Sequence, residues 1–306
     1  MFQKAYFYPL FAILFWAGNV IVSKMASHAI SPVAITFYRL VFALAVMSTF
    51  VLIPTWKNRH IIRQYWKHLA LGGFLSVSLF QFLSYQAATT TTATNMAIVT
   101  ALIPLLTIIL STWILKDQIS YGLVIGGFLS FYGILYLLSH GHIAQVFSQG
   151  MHLGDGLMLL AAIGYALYGV LLKRWKMPIP AWQSNFVMSS FAILYVLPFF
   201  IFLPASQMQL NQQTIPLILY ASIFSSILLS YLWIEGVRHL GPNKNSIFMN
   251  LLPVFTALIA VVLLGEHLQV FHLIGGGLTL CGILLAQIIQ KPIQWKKSTQ
   301  QSLDSL

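Results

Sequence analysis

The sequence predicts an all-α membrane protein of ten transmembrane helices, arranged as two inverted five-helix repeats. Three observations carry this: a composition 58% hydrophobic and only 7% charged, long uninterrupted apolar runs, and an internal repeat at an offset of 149 residues. A soluble domain carries roughly a quarter charged residues because its surface faces water. Most of this chain's surface must face something apolar. Runs such as Ala97 to Leu115 and Val254 to Gly265 are almost continuously apolar. They do not alternate, unlike the strands of a membrane β-barrel. A helical crossing needs about 20 apolar residues, so 306 residues with short loops hold ten crossings.

Apolar runs between polar or Pro/Gly breaks place the spans. The first, 5–27, follows Lys4; it is too long for a signal-peptide core and lacks a small-residue cleavage site, so a retained span is expected. The second, 31–53, ends before Lys57, Arg59, Arg63 and Lys67. The third and fourth, 67–87 and 93–115, are joined by the uncharged loop Ala88–Thr94, and Lys116 and Asp117 precede the fifth, 119–139. The sixth, 154–174, runs into Lys173, Arg174 and Lys176. The neutral tract Ser206–Thr214 separates the seventh, 180–203, from the eighth, 214–236. Arg238 and Lys244 precede the ninth, 244–264, and the tenth, 268–290, ends before Lys291, Lys296 and Lys297.

With the N-terminus inside, fourteen of the sixteen Lys and Arg residues fall on the cytoplasmic side; Lys24 and Arg39 are the exceptions. Basic residues collect in cytoplasmic loops. The expected location is therefore the bacterial inner (cytoplasmic) membrane, multi-pass, with both termini cytoplasmic. The formal charge of +11 is a topology signal, and nucleic acid is not an expected partner. The single cysteine, Cys281, excludes an intramolecular disulfide and Cys-based metal or redox motifs. The histidines show no metal-ligand spacing and no catalytic motif is present, so no metal, cofactor or enzymatic activity is expected.

At the offset of 149, Pro104 falls on Pro253, Thr107 on Thr256, Asp117 on Glu266, and Gly126, Gly127 and Gly133 on Gly275, Gly276 and Gly282. Ala17 falls on Ala166, Lys24 on Lys173 and Phe37 on Phe186. Five spans per half put the second half into the bilayer from the opposite side. Two like halves around a midplane site are a transporter architecture.

Each half resembles an EamA domain of the drug/metabolite transporter superfamily. The resembling stretches are FWAGNVIVSKMASHAISPVAITFYRLVFA, LIPLLTIILSTWILKDQIS and GGFLSFYGILYL in the first half. In the second they are GVRHLGPNKNSIFMNLLPVFTALIAVVLLGEHL and GGGLTLCGILLA. The resemblance covers residues 5–290 and departs at Lys116-Asp117, where Gly-Glu is the pattern. It implies repeats at 5–139 and 154–290, with 291–306 as a cytoplasmic tail, and export of small metabolites such as amino acids. Arg39, well inside the second span, must meet a carbonyl, an aromatic face or a substrate anion; it stands where the family commonly carries an arginine, which points to a structural role.

Polar residues inside spans are costly and mark function, although small hydroxylated ones also glue helices together. Ser78, Gln81 and Tyr85 recur at steps of three and four in the third span, as do Ser226, Ser230 and Trp233 in the eighth, and Gln81 is the repeat mate of Ser230. Trp16 and Asn19 share a face of the first span, with Tyr165 and Tyr168 as mates. Aromatics and an amide at matched depth suit an organic solute. Asn95, Asn245 and Asn250 in the fourth and ninth spans complete the expected substrate-binding set. Pro104 and Pro253, each lacking a backbone donor mid-span, are the expected gating elements. Glu235 could carry a coupling proton; pairing with Arg238 or Lys244 is the alternative. The acids Asp117 and Glu266 fit turns before helix N-termini.

The resulting expectation is a secondary transporter exporting small organic metabolites, amino acids or related compounds, by alternating access. A multidrug exporter is one alternative, and a receptor or scaffold without flux is one of another class. The expected partners are a small-molecule substrate and the lipid bilayer. Proton coupling, and the choice between monomer and homodimer, stay open.

Overall fold

A computed structural model describes residues 4–26, 29–88, 90–91, 93–144, 152–264 and 269–293. Among these, eight helical runs are long and apolar enough to cross a membrane. No strand occurs among the described residues; a single bridge, Ser120 to Pro292, ties the chain's end to the start of a central helix. Glu266, the side chains of Lys24 and Tyr85, and the tail beyond residue 293 lie outside the described residues.

Helix α1 spans Phe7–Ala26 and α2 spans Pro32–Lys57. Asn58 breaks the chain there, its Nδ2 donating to Gln183 Oε1 at 3.0 Å. The third helical unit is longer than the apolar run alone predicts. It begins at α3, Arg59–Gly73, passes through a π-helical segment, Phe74–Leu79, and ends as α4, Phe80–Ala88. Its basic first turns lie beyond the apolar stretch, which is why hydropathy places the start near residue 67.

The fourth span is irregular just before Pro104, although Ala101 N–H still reaches Ala97 O and Leu102 keeps helical angles. Helix α5, Ala93–Thr100, stops at a turn over Ala101 and Leu102, and α6 restarts at Ile103 and runs to Leu115. Helix α7 covers Tyr121–Leu138, with Ser120 Oγ accepting from Leu123 N–H as its N-cap. Asp117 is therefore not a cap: its Oδ2 accepts from Ser111 Oγ at 2.9 Å and lies 3.5 Å from Lys173 Nζ.

In the second half, α8 covers Leu153–Trp175 and α9 covers Ala181–Ile201. Helix α10, Thr214–Tyr220, leads into a second π-helical segment, Ala221–Leu229, and then α11, Ser230–Ser246. Inside α11, Gly241 leaves helical geometry at φ 79°, ψ 163°, a conformation glycine adopts without a Cβ penalty. That break splits the long run Thr214–Ile259. A 3-10 segment, Ile247–Leu251, precedes α12, Leu252–Leu264, and α13 covers Val270–Ile288.

Pro104 and Pro253 therefore each sit at the second position of a restarted helix. There the missing backbone N–H has no intrahelical partner to lose.

The π segments are also repeat-related, since residues 74–79 map onto 223–228. Serine hydroxyls bond back to carbonyls around both: Ser76 Oγ donates to Gly72 O at 2.7 Å, Ser226 Oγ to Ala221 O at 3.1 Å, and Ser230 Oγ to Ser225 O at 3.4 Å. Such competition loosens the i to i−4 ladder and favours the wider turn.

Helices α7 and α13 cross on glycines. Thr279 Oγ1 donates to Ser130 O at 3.4 Å, and these two residues are mates at the offset of 149. Outward faces are strongly apolar, with Trp113 80% exposed and Phe202 87%, the distribution a lipid solvent permits.

Candidate functional site

A cavity lies among α1, α2, the two π segments, α8, α9 and the adjoining ends of α4 and α11. Sixteen of its eighteen lining residues form eight pairs at the offset of 149. The pairs are Trp16 with Tyr165, Asn19 with Tyr168, Arg39 with Met188, Leu40 with Ser189, Ser76 with Ser225, Val77 with Ser226, Phe80 with Leu229, and Gln81 with Ser230. Asn185 and Trp233 complete the wall. Each half thus supplies the same repeat positions to the cavity wall.

One wall is an aromatic cluster. Trp16 and Tyr165, mates in direct contact, have ring centroids 5.4 Å apart at 62°. Trp233 packs on both, at 6.3 Å and 5.6 Å, and Phe80 lies 5.3 Å from Tyr165. Edge-to-face rings at these separations form a rigid apolar surface. Tyr165, Tyr168 and Trp233 are each at most 5% exposed. The indole Nε1 of Trp233 is buried with no acceptor among the described residues.

The remaining wall is polar. Asn185 Nδ2 donates to Ser226 O at 3.0 Å and Ile227 O at 3.3 Å, serving carbonyls of the second π segment. Arg39, 9% exposed, brings the cavity a guanidinium. About 80 Å³ is open to the centre of a water-sized sphere. At roughly 10–15 Å³ per water on that measure, this holds a small hydrated solute, and a larger one requires opening.

The structure brings together Trp16, Asn19, Gln81, Tyr165, Tyr168, Ser226, Ser230 and Trp233 of the expected set. The Tyr85 side chain lies outside the described residues, and Ser78, Asn95, Asn245 and Asn250 do not line this cavity. Ser78 faces a side groove with Pro32, Thr36 and Tyr195, joined to the cavity wall through Gln81. Asn95 Nδ2 donates to Asp155 Oδ2 at 3.5 Å, beside a Thr91 to Asp155 hydrogen bond, so it fastens α5 to α8. Asn250 donates to Ser130 Oγ and holds the 3-10 segment against α7. Asn245 is fully buried against Gly236, where a Cβ would lie 2.0 Å from its Oδ1. Glu235 pairs with Arg238 at 3.4 Å and His239 at 3.4 Å and does not line the cavity. Arg39, Ser76, Ser225 and Asn185 are wall residues the sequence reading did not select. For Arg39 the usable signal was an ionisable side chain inside a span.

No group of three metal-ligating residues occurs among the described residues. A multi-pass helical bundle enclosing a polar and aromatic cavity between two related halves has the construction of a membrane transporter. The chain belongs to the EamA-like transporter family, which it matches over residues 3–139 and 152–287.

The relatives agree. The uncharacterized transporter YyaM of Bacillus subtilis (strain 168) is 27% identical over 292 residues, covering 95% of each chain. An uncharacterized transporter of Archaeoglobus fulgidus is 28% identical, covering 93% of this chain and 98% of its own. YetK, another uncharacterized transporter of Bacillus subtilis (strain 168), is 30% identical over 73% of this chain and 68% of its own length. A crystal structure 19% identical superposes with a TM-score of 0.75, covering 92% of this chain and 96% of that one. It shows the shared fold.

Proposed function

We propose that this transporter exports small organic metabolites, amino acids or related compounds, from bacteria by alternating access through the axial cavity. The observation that carries the reading is the cavity wall built from eight repeat-mate pairs. A site on the axis presents equivalent groups to both halves, so rocking one half against the other opens it to either side.

Ten crossings follow from treating Arg59–Ala88 as one span and dividing Thr214–Ile259 at Gly241. With five per half, repeats 5–139 and 154–290 enter the inner membrane in opposite senses. The basic loops then place both termini, and the tail 291–306, in the cytoplasm. The amino-acid class rests on the family resemblance and on a wall of aromatic, amide and hydroxyl groups. Pro104 and Pro253, at the restarts of the two irregular spans, are the proposed hinge points.

The test is a panel of labelled amino acids and metabolites in proteoliposomes, run with and without a pH gradient. Saturable flux of at least one small metabolite is expected. Absence of flux for the whole panel, with ligand binding intact, favours a receptor instead. Glu235→Gln is expected to leave flux and its response to the pH gradient unchanged, because the carboxylate is engaged by Arg238 and His239 away from the cavity. Loss of the gradient response in that variant would assign Glu235 the coupling proton and revive the multidrug reading.

A further inference from the structure

We infer that the basic turns opening α3 bind the headgroup phosphate of an anionic phospholipid, held by Arg59, Arg63 and Lys67 at the cytoplasmic surface of the membrane. The inference goes beyond the transport reading and makes no use of the axial cavity.

Charge is the first argument. Lys57, Arg59, Arg63 and Lys67 are all exposed, and none of them pairs with a carboxylate among the described residues. The first acid in the sequence is Asp117, and it is engaged by Lys173 and Ser111. Helix α3 has no acid in its first turn, and its N-cap Asn58 donates its amide to Gln183 instead of capping that turn. The positive end of the helix dipole therefore adds to the same charge. A cluster of four or more Lys and Arg beside a span attracts anionic headgroups, about fivefold in affinity for each residue.

Geometry is the second argument. Basic charge in a cytoplasmic loop is enough to set topology, but here it is ordered on a helix. Arg59, Arg63 and Lys67 recur at steps of four and so share one face. Ile61, Ile62 and Tyr65 pack against the buried core, which turns the basic face outward. Two exposed indoles flank it. The Arg59 guanidinium lies 5.4 Å from the Trp56 ring, and the Lys67 ammonium 5.8 Å from the Trp66 ring. Leu52 and Ile53, also exposed, carry the apolar surface of α2 up to this point. Tryptophans between an apolar surface and a row of cations match the boundary of acyl chains and headgroups. That arrangement selects a lipid over a phosphate free in water.

Native mass spectrometry of the detergent-solubilised full-length protein tests this, with phosphatidylglycerol and phosphatidylcholine of the same chains titrated separately. Phosphatidylglycerol is expected to bind at least about fivefold more tightly, and raising the ionic strength from about 0.1 to about 0.5 M should erode that preference. The triple variant Arg59→Gln, Arg63→Gln, Lys67→Gln is expected to lose at least about tenfold in phosphatidylglycerol affinity and to bind phosphatidylcholine as the parent does. A control with the same loss of charge, Lys4→Gln, Lys176→Gln, Lys291→Gln, should stay within about twofold of the parent, because none of the three lies on α3. Arg63→Gln alone changes one exposed side chain; its expected loss of about fivefold locates the site even if the triple variant does not fold.

Equal binding of the two lipids would overturn the inference, as would unchanged phosphatidylglycerol binding in Arg63→Gln and the triple variant, or an equal loss in the control. Displacement of phosphatidylglycerol by an equal concentration of inorganic phosphate would assign the patch to a soluble anion and overturn it too. Flux in the metabolite panel is read separately, so failure here leaves the transport reading standing.

Discussion

Leucine in place of Gly126 or Gly282 is expected to prevent recovery of folded protein, by the closeness of α7 to α13. A Cβ on Gly126 would lie 2.2 Å from Gly282 O, and one on Gly282 would lie 2.5 Å from Gly126 O. The mates of these residues repeat the contact: a Cβ on Gly133 would meet Gly275 O at 2.7 Å, and the converse distance is also 2.7 Å. At each glycine the nearest obstacle is a backbone carbonyl, which no side-chain rotation can move away. Glycine lets membrane helices approach this closely and exchange dispersion contacts that larger residues forbid. Overpacking costs about 1–3 kcal/mol where side chains can yield; here the helices must separate, and the loss is at or above the top of that range. Thermal melting and size-exclusion of the detergent-solubilised protein measure it. Gly277, with nothing within 4 Å of its Cβ position, is the control, and Gly277→Leu is expected to behave as the parent.

Trp16→Ala is expected to reduce flux at least about tenfold while the protein remains folded. Trp16 touches Tyr165, Trp233 and Phe80, so its removal takes the centre out of the aromatic wall. Each lost ring pair forfeits about 0.5–1.5 kcal/mol beyond area burial, and three pairs share this ring. Trp16→Phe keeps a ring in place and should retain most of the flux. Trp113→Ala, on an 80% exposed position, should retain all of it. Equal flux in Trp16→Ala and Trp113→Ala would remove the aromatic wall from the transport route.

Much of this organisation was legible in the sequence because the repeat constrains it twice. Glycines matched at the offset meet across α7 and α13, and Trp16 and Tyr165, repeat mates, are in contact. What misled was the choice between two adjoining faces. Ser76, Val77, Phe80 and Gln81, themselves three and four residues apart, reach the cavity, while Ser78 lies with Gln81 in the side groove. A hydroxyl that can also serve helix packing does not tell which face meets the cavity. The asparagines Asn95 and Asn250 were chosen as costly polar groups inside spans, yet their cost is met by Asp155 and Ser130 at helix contacts. For Arg39 the sequence leaves a carbonyl, an aromatic face or a substrate anion as partners, and the family's arginine at this position points to the structural choice.

Irregular helices were likewise only half visible. Pro104 and Pro253 announced an irregularity, and the structure locates it just upstream, at the turn over Ala101 and Leu102 and at the 3-10 segment Ile247–Leu251. Gly241 set the division of the longest run, where its sequence neighbours, Leu240 and Pro242, gave only a generic turn signal.

The most direct measurement of the central claim, that solute crosses through the axial cavity, uses Ser225→Cys in a Cys281→Ser background. Ser225 lines the cavity and is the mate of Ser76, while Cys281 is exposed and is the chain's single cysteine. A thiol-directed methanethiosulfonate reagent is applied to proteoliposomes during flux of whichever metabolite the panel identifies. The account predicts that labelling Cys at 225 stops flux and that the transported metabolite slows the labelling. Full flux through stoichiometrically labelled protein would contradict it.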